Sequence, residues 1–152
     1  MAMSTYVAQN RGAGKKDRIR EGIRFGLTAS VLLVSLLGVV NFLFSPTLVG
    51  LFNPDPEVVA YGTLRAHICS LFFCFCGFSH VSSAVMRGLG KPFVPTVVML
   101  VCWCAVRVLT LMTLGQIYHN ILLVIWIYPI TWFLSSVVYV FYMSHLKRQG
   151  LY

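Results

Sequence analysis

Four long apolar runs, parted by short polar breaks, organise this chain. They cover about residues 26–52 (holding LTASVLLVSLLGVVNFLF), 60–86, 93–114 and 120–143. Each is about 20 residues or longer, enough for a helix to cross roughly 30 Å of hydrocarbon. In lipid the backbone must satisfy its own hydrogen bonds, which leaves helices or a closed barrel. Continuous apolar runs exclude barrel strands, whose residues alternate in polarity. The expected fold class is therefore all-α, a polytopic membrane protein with four transmembrane helices.

Ahead of the first run, Ile19, Ile23 and Leu27 follow a helical period, with Arg18, Arg20, Glu21 and Arg24 on other faces. An amphipathic helix is expected from Lys16, continuing into the first span. The chain then divides into a basic loop and helix start (1–25), a membrane domain (26–145) and a short tail (146–152). Pro46 and Pro129 are expected to bend or unwind their helices. Pro129 frees a carbonyl about nine residues into the membrane, either as a packed kink or as a working break.

Composition agrees. Hydrophobic residues make up 58% and charged residues 11%, and mean hydropathy is +0.80. Twelve basic and four acidic residues are too few to coat a soluble core. On a soluble chain the net charge of +8 would suggest nucleic acid. Here the bases flank apolar runs, where they set orientation and meet anionic lipid head groups, so no nucleic-acid partner is expected.

The loops alternate in charge. Arg11, Lys15, Lys16, Arg18, Arg20 and Arg24 precede span one; NPDPE follows it. Arg87 and Lys91 follow span two, GQIYHN follows span three without a Lys or Arg, and Lys147 and Arg148 follow span four. The positive-inside rule then places both termini in the cytoplasm, in an inner (plasma) membrane. No cleavable signal peptide is expected, because the first 24 or so residues are polar and basic.

Polar groups inside the spans are the candidate chemistry. Cys76, Ser79, His80, Ser83, Ala84 and Arg87 recur at helical spacing, with Phe72, Phe75 and Phe78 elsewhere. Such a face either lets helices approach closely or lines a wet cavity. His80 is either a proton relay or ligand contact, or a histidine bonded to a neighbouring helix. Arg107 lies about 12 Å from the outer end of span three, with Trp103 one turn away to stack on it. All four acids, Asp17, Glu21, Asp55 and Glu57, lie in loops. Arg107 therefore either snorkels to Asp55 or Glu57, or takes a partner from another chain or segment. The five cysteines read as packing residues: Cys74/Cys76 and Cys102/Cys104 are spaced for different helix faces, so no metal site is expected. GAGKK lacks the spacing and preceding strand of a phosphate loop, and no catalytic constellation is present.

Several segments resemble the multidrug and toxic compound extrusion (MATE) family. QNRGAGKKDRIR, with Gln9, Asn10, Gly12, Gly14 and Arg18, resembles its Q-N-x-G-A-G-x-x-x-R loop. DPEVVAYGTLR, with Tyr61 and Arg65, resembles its D-P-E-V…Y-L-R segment, and VMRGLGKPFVP, with Arg87, Gly88, Gly90 and Pro95, its L-R-G-x-G-x-x-x-x-P loop. Arg107 stands where that family has an arginine after a tryptophan.

The resemblance implies a twelve-helix fold of two six-helix lobes, with this chain on helices nine to twelve and residues 4–8 ending helix eight. It implies export of organic cations or drugs in exchange for H⁺ or Na⁺, and no other cofactor. It also implies partners in the first lobe and in helices seven and eight, so that the chain alone would not transport. In the NorM-like branch a cation-binding aspartate precedes the R-G glycine by twelve residues; Cys76 holds that place here. Phe72, Phe75, Cys76, Ser79, His80 and Ser83 are the expected cavity- or lobe-facing residues. The competing reading is a small four-span protein acting as a homo-oligomer or non-transporting subunit.

Overall fold

The computed structural model describes residues 2–118 and 121–152. Among these, the chain is helical throughout: α1 (Ala2–Gly12), α2 (Lys16–Gly50), α3 (Pro56–Leu71), α4 (Phe73–Gly88), α5 (Phe93–Val98), a π-helical segment (Met99–Ala105), α6 (Val106–Tyr118) and α7 (Ile121–Arg148). The turn expected around His119–Asn120 lies outside the described residues. Three stretches, Lys16–Gly50, Phe93–Thr113 and Ile121–Arg148, are long and apolar enough to cross a membrane. The pair α3 and α4 forms a fourth only if taken as one bent span.

Local chemistry sets the boundaries. Asp55 caps α3 by accepting from the Glu57 amide at 2.9 Å, and Pro56 starts the helix, where its missing N–H costs nothing. α2 runs unbroken for 35 residues from the basic end. Ile19 and Ile23 are buried, as their helical spacing requires. Along its apolar length Leu33, Leu36, Leu37, Leu43 and Phe44 are exposed, a surface suited to lipid rather than water.

The second apolar run is not the continuous helix expected. α3 and α4 meet at a 56° bend around Phe72, whose φ of −107° and ψ of 5° leave the helical region. The Phe72 amide still bonds back to Cys69 O at 3.0 Å, and the Phe75 amide to Phe72 O at 3.1 Å, so a tight turn patches the ladder. Neighbouring helices brace the break. Asn41 Nδ2 donates to Ser70 Oγ at 2.8 Å from α2, and Ser136 Oγ donates to Phe75 O at 3.0 Å from α7.

The prolines do not interrupt their helices. Pro46 and Pro129 both lie inside unbroken helices and neither unwinds its helix. At Pro46 the reason is visible. Proline has no N–H, so the Phe42 carbonyl one turn back loses its helical donor. His67 Nε2 bonds that carbonyl at 3.0 Å and Ser45 Oγ donates to it at 3.2 Å. A carbonyl only accepts, so His67 carries its proton on Nε2. Its ring also stacks on Phe42, with centroids 4.2 Å apart.

The core lies at the basic end. Val7 of α1, Ile19 and Ile23 of α2, Val85, Met86 and Leu89 around the end of α4, and Tyr139, Met143 and Leu146 of α7 form one buried cluster. α4 is its centre, touching α1, α2 and α7.

One consequence concerns the histidine cap. His67→Ala should cost about 0.5–1.5 kcal/mol by leaving the Phe42 carbonyl with the Ser45 hydroxyl as its one remaining donor. In a Pro46→Ala background the alanine N–H restores the helical bond, and the same substitution should cost about half or less. Unfolding titrations of the four variants in micelles read the coupling; equal costs in both backgrounds would refute it.

Candidate functional site

Three polar constellations stand out, and the sequence-selected residues distribute among them. The first joins the two glycine-bearing loops at the basic end. Gly14 closes the α1–α2 turn with φ of +68°, and Gly90 takes the same φ after α4, a region that side chains rarely enter. Asn10 Nδ2 donates to Tyr6 O at 2.9 Å, and the Tyr6 hydroxyl donates to Arg18 O at 3.0 Å, which ties α1 to α2. Arg11 Nη1 donates to Leu89 O at the end of α4 and so ties the two loops together. Lys16 Nζ adds the C-terminal turn by donating to Gly150 O at 2.6 Å.

Gly88 has a packing reason. A Cβ there would meet Ser4 O at 2.6 Å and Val7 Cβ at 2.7 Å, so only glycine lets α1 and α4 touch. Gly12, by contrast, has nothing within 4 Å of its Cβ position. Pro95 is buried, whereas Gln9 and Tyr61 are exposed and join no cluster among the described residues.

The second constellation is the α4–α7 seam. Ser79 Oγ bonds Ser135 Oγ at 3.0 Å and Ser136 Oγ at 2.9 Å. Ser83 accepts from Arg87 Nη1 at 2.5 Å. Ser79 and Ser83 are buried, so within this chain they serve helix approach and hydrogen bonding rather than a cavity wall. His80 and Arg87 are exposed, and Cys76 is half-buried, so the stripe straddles the edge of the seam. Phe72, at the bend, sits edge-on to Trp126 at 5.9 Å, and Phe75 edge-on to Phe133 at 5.4 Å. Phe75 also lines an apolar groove of about 590 Å³ between α2, α4 and α7, with Phe78, Phe133 and Val137.

The third surrounds Arg107. Its Nε and Nη2 both donate to Thr131 Oγ1, at 3.1 and 2.9 Å. Its guanidinium carbon lies 4.4 Å from the Tyr128 ring centroid and 5.4 Å from that of Trp103. Arg65 comes to the same ring, 4.8 Å from the Tyr128 centroid. His80 meets the Trp103 ring edge-on at 5.4 Å. The expected pairing of Arg107 with Asp55 or Glu57 does not occur: its partners among the described residues are a hydroxyl and two rings, because the side chain turns towards α7 instead of the loop.

Sequence reasoning missed Thr131, Tyr128 and the convergence of Arg65 on Arg107. Trp103 next to Arg107 was legible from spacing, but the α7 partners needed the tertiary fold. The π-helical segment holding Trp103 carries no proline or glycine to announce it.

The loop contacts give a contrast to measure. Gly88→Leu should destabilise the chain by about 1–3 kcal/mol through overpacking against α1. Gly12→Ala should leave it within about 0.5 kcal/mol or slightly stabilised. Unfolding titrations of both variants in micelles check this, and equal effects would contradict the close contact.

Known proteins are similar to this sequence. The MatE family model matches residues 1–113. The chain is 29% identical over 98 residues to the "Probable multidrug resistance protein NorM" of Thermotoga maritima, covering 64% of this chain and 21% of that protein. It is 25% identical to the "Probable multidrug resistance protein YoeA" of Bacillus subtilis, over 99% of this chain and 33% of that protein. A NorM-named protein of Aromatoleum aromaticum is 32% identical over 68% of this chain and 22% of its own length. The chain thus spans between about a fifth and a third of these relatives. With an all-helical fold, apolar helices of membrane-crossing length and a family match over most of its residues, the chain belongs to the MatE family.

Proposed function

We propose that this chain works within a multidrug efflux antiporter that exports organic cations or drugs against an inward flow of H⁺ or Na⁺. The match to the MatE family over residues 1–113 carries the reading. The multidrug resistance proteins it resembles are about three times as long, which supports a role as one part of a larger transporter, read from the motif order as its last membrane crossings. Partners are then the lipid bilayer and the remaining helices, including the first lobe. The alternation of basic and non-basic loops supports cytoplasmic termini in a plasma membrane.

Rigid parts suit such a task. The Arg11–Leu89 and Lys16–Gly150 contacts hold four chain segments together at the basic end, so this end would move as one body when lobes rock. The bend at Phe72 divides the second crossing near its middle. No carboxylate lies within the apolar runs 26–52, 60–86, 93–114 and 120–143, and Cys76 stands where the resemblance to the NorM-like branch would place an aspartate. The exchanged cation would therefore bind to a carboxylate of the first lobe.

Ethidium efflux from cells lacking their own multidrug pumps tests this. The chain alone should give no efflux above an empty membrane. Supplied together with the preceding helices of a NorM-type relative, it should give efflux that stops when the ion gradient is dissipated. Gradient-dependent efflux by the chain alone would overturn the proposal.

A further inference from the structure

Within the four apolar runs the charge is one-signed. Arg65 lies nine residues into α3 from Pro56, roughly 14 Å along the helix, and Arg107 lies eleven residues from the end of α6, roughly 16 Å. Both are deep in the half of the membrane domain away from the basic end. An uncompensated guanidinium at that depth is costly, and two that converge on one aromatic ring also repel each other. The partners the structure supplies are incomplete. The Thr131 hydroxyl donates its proton to Tyr128 O at 2.9 Å and accepts both bonds from Arg107 Nε and Nη2. That leaves Arg107 Nη1 without an acceptor among the described residues, and neither guanidinium forms an ion pair among them. Next to Arg107, the Trp103 indole N–H is buried and has no hydrogen-bond partner.

Arg107 Nη1 and the Trp103 N–H are donors without an acceptor among the described residues, and the two guanidiniums present planar forks that match a carboxylate. The rings of Tyr128 and Trp103 add apolar area beside the charge. We propose that Arg65 and Arg107, with the Trp103 N–H, form a binding site for a small organic carboxylate of aromatic or apolar body. The site rejects organic cations, because its rings already face two positive charges. It lies wholly on this chain, so it stands or falls apart from the transport reading.

Calorimetric titration of the full chain in nanodiscs tests it, with benzoate, benzylammonium and chloride as probes. Benzoate should bind saturably and benzylammonium should not. Arg107→Gln and Arg65→Gln should each weaken benzoate binding by at least about tenfold. Arg107→Lys should weaken it too, since the fork is lost while the charge remains. Arg65 is exposed, so Arg65→Gln should keep the helical content of the parent by circular dichroism, and a loss of binding there reports the site and not the fold. Three results would overturn the proposal: no benzoate binding by the parent chain, benzoate binding unchanged in both glutamine variants, or arginine-dependent binding of chloride without benzoate.

Discussion

A carbonyl or amide in the hydrocarbon region has no water to turn to, so each departure from a regular helix must find a partner within the protein. This constraint explains where the helices of this chain break and what surrounds the breaks. At Pro46 the lost N–H is replaced by His67 Nε2 and Ser45 Oγ on the Phe42 carbonyl, and the helix continues. At Phe72 the chain bends by 56°, and here too the side chains gather: Asn41 reaches Ser70, and Ser136 reaches Phe75 O. Polar residues that look out of place in an apolar sequence sit where the backbone is irregular. The stripe on α4 is the same principle applied between helices, with Ser79 bonded to Ser135 and Ser136 across the seam.

The same economy governs the basic end. Helix termini leave carbonyls without donors. Arg11 caps the Leu89 carbonyl and Lys16 caps that of Gly150, so bases that the positive-inside pattern needs for orientation also close helix ends. Because each cap comes from a different segment, capping also cross-links α1, α2, the α4–α5 loop and the C-terminal turn. The largest buried cluster lies beneath these caps, which makes this end the stiffest part of the chain.

How much of this was legible in the sequence follows from the range of each interaction. Apolar runs and their flanking charges are local signals, and they placed the helical class and the family resemblance. Ile19 and Ile23 declared their buried face by spacing alone. Gly14 and Gly90 marked turns, because positive φ is a property of one residue. The break at Phe72 was not legible, since phenylalanine is no helix breaker and the bend is held by residues 29 and 61 positions away from the atoms they brace. Pro46 suggested an unwinding that does not occur. Its cost was real, but a histidine 25 residues beyond the affected carbonyl had already met it. The partner of Arg107 was sought among acids, when the fold supplied a threonine and two rings from positions that carry no charge to flag them.

That substitution of rings for acids has a consequence for what these helices can bind. A cation in a membrane cavity is held by a carboxylate or by aromatic faces. The four acids of this chain lie at helix starts, Asp17 and Glu21 in the first turns of α2 and Asp55 and Glu57 at the beginning of α3, and the Tyr128 ring is already engaged by two guanidiniums and that of Trp103 by one. Around Arg107 the electrostatic means of attracting a positive ligand are therefore spent on the chain's own charges. The apolar groove along Phe75, Phe78 and Phe133 retains free aromatic surface but no charge. Any cation handled by an assembly that includes these helices must draw its counter-charge from elsewhere, and the field of Arg65 and Arg107 pushes it there.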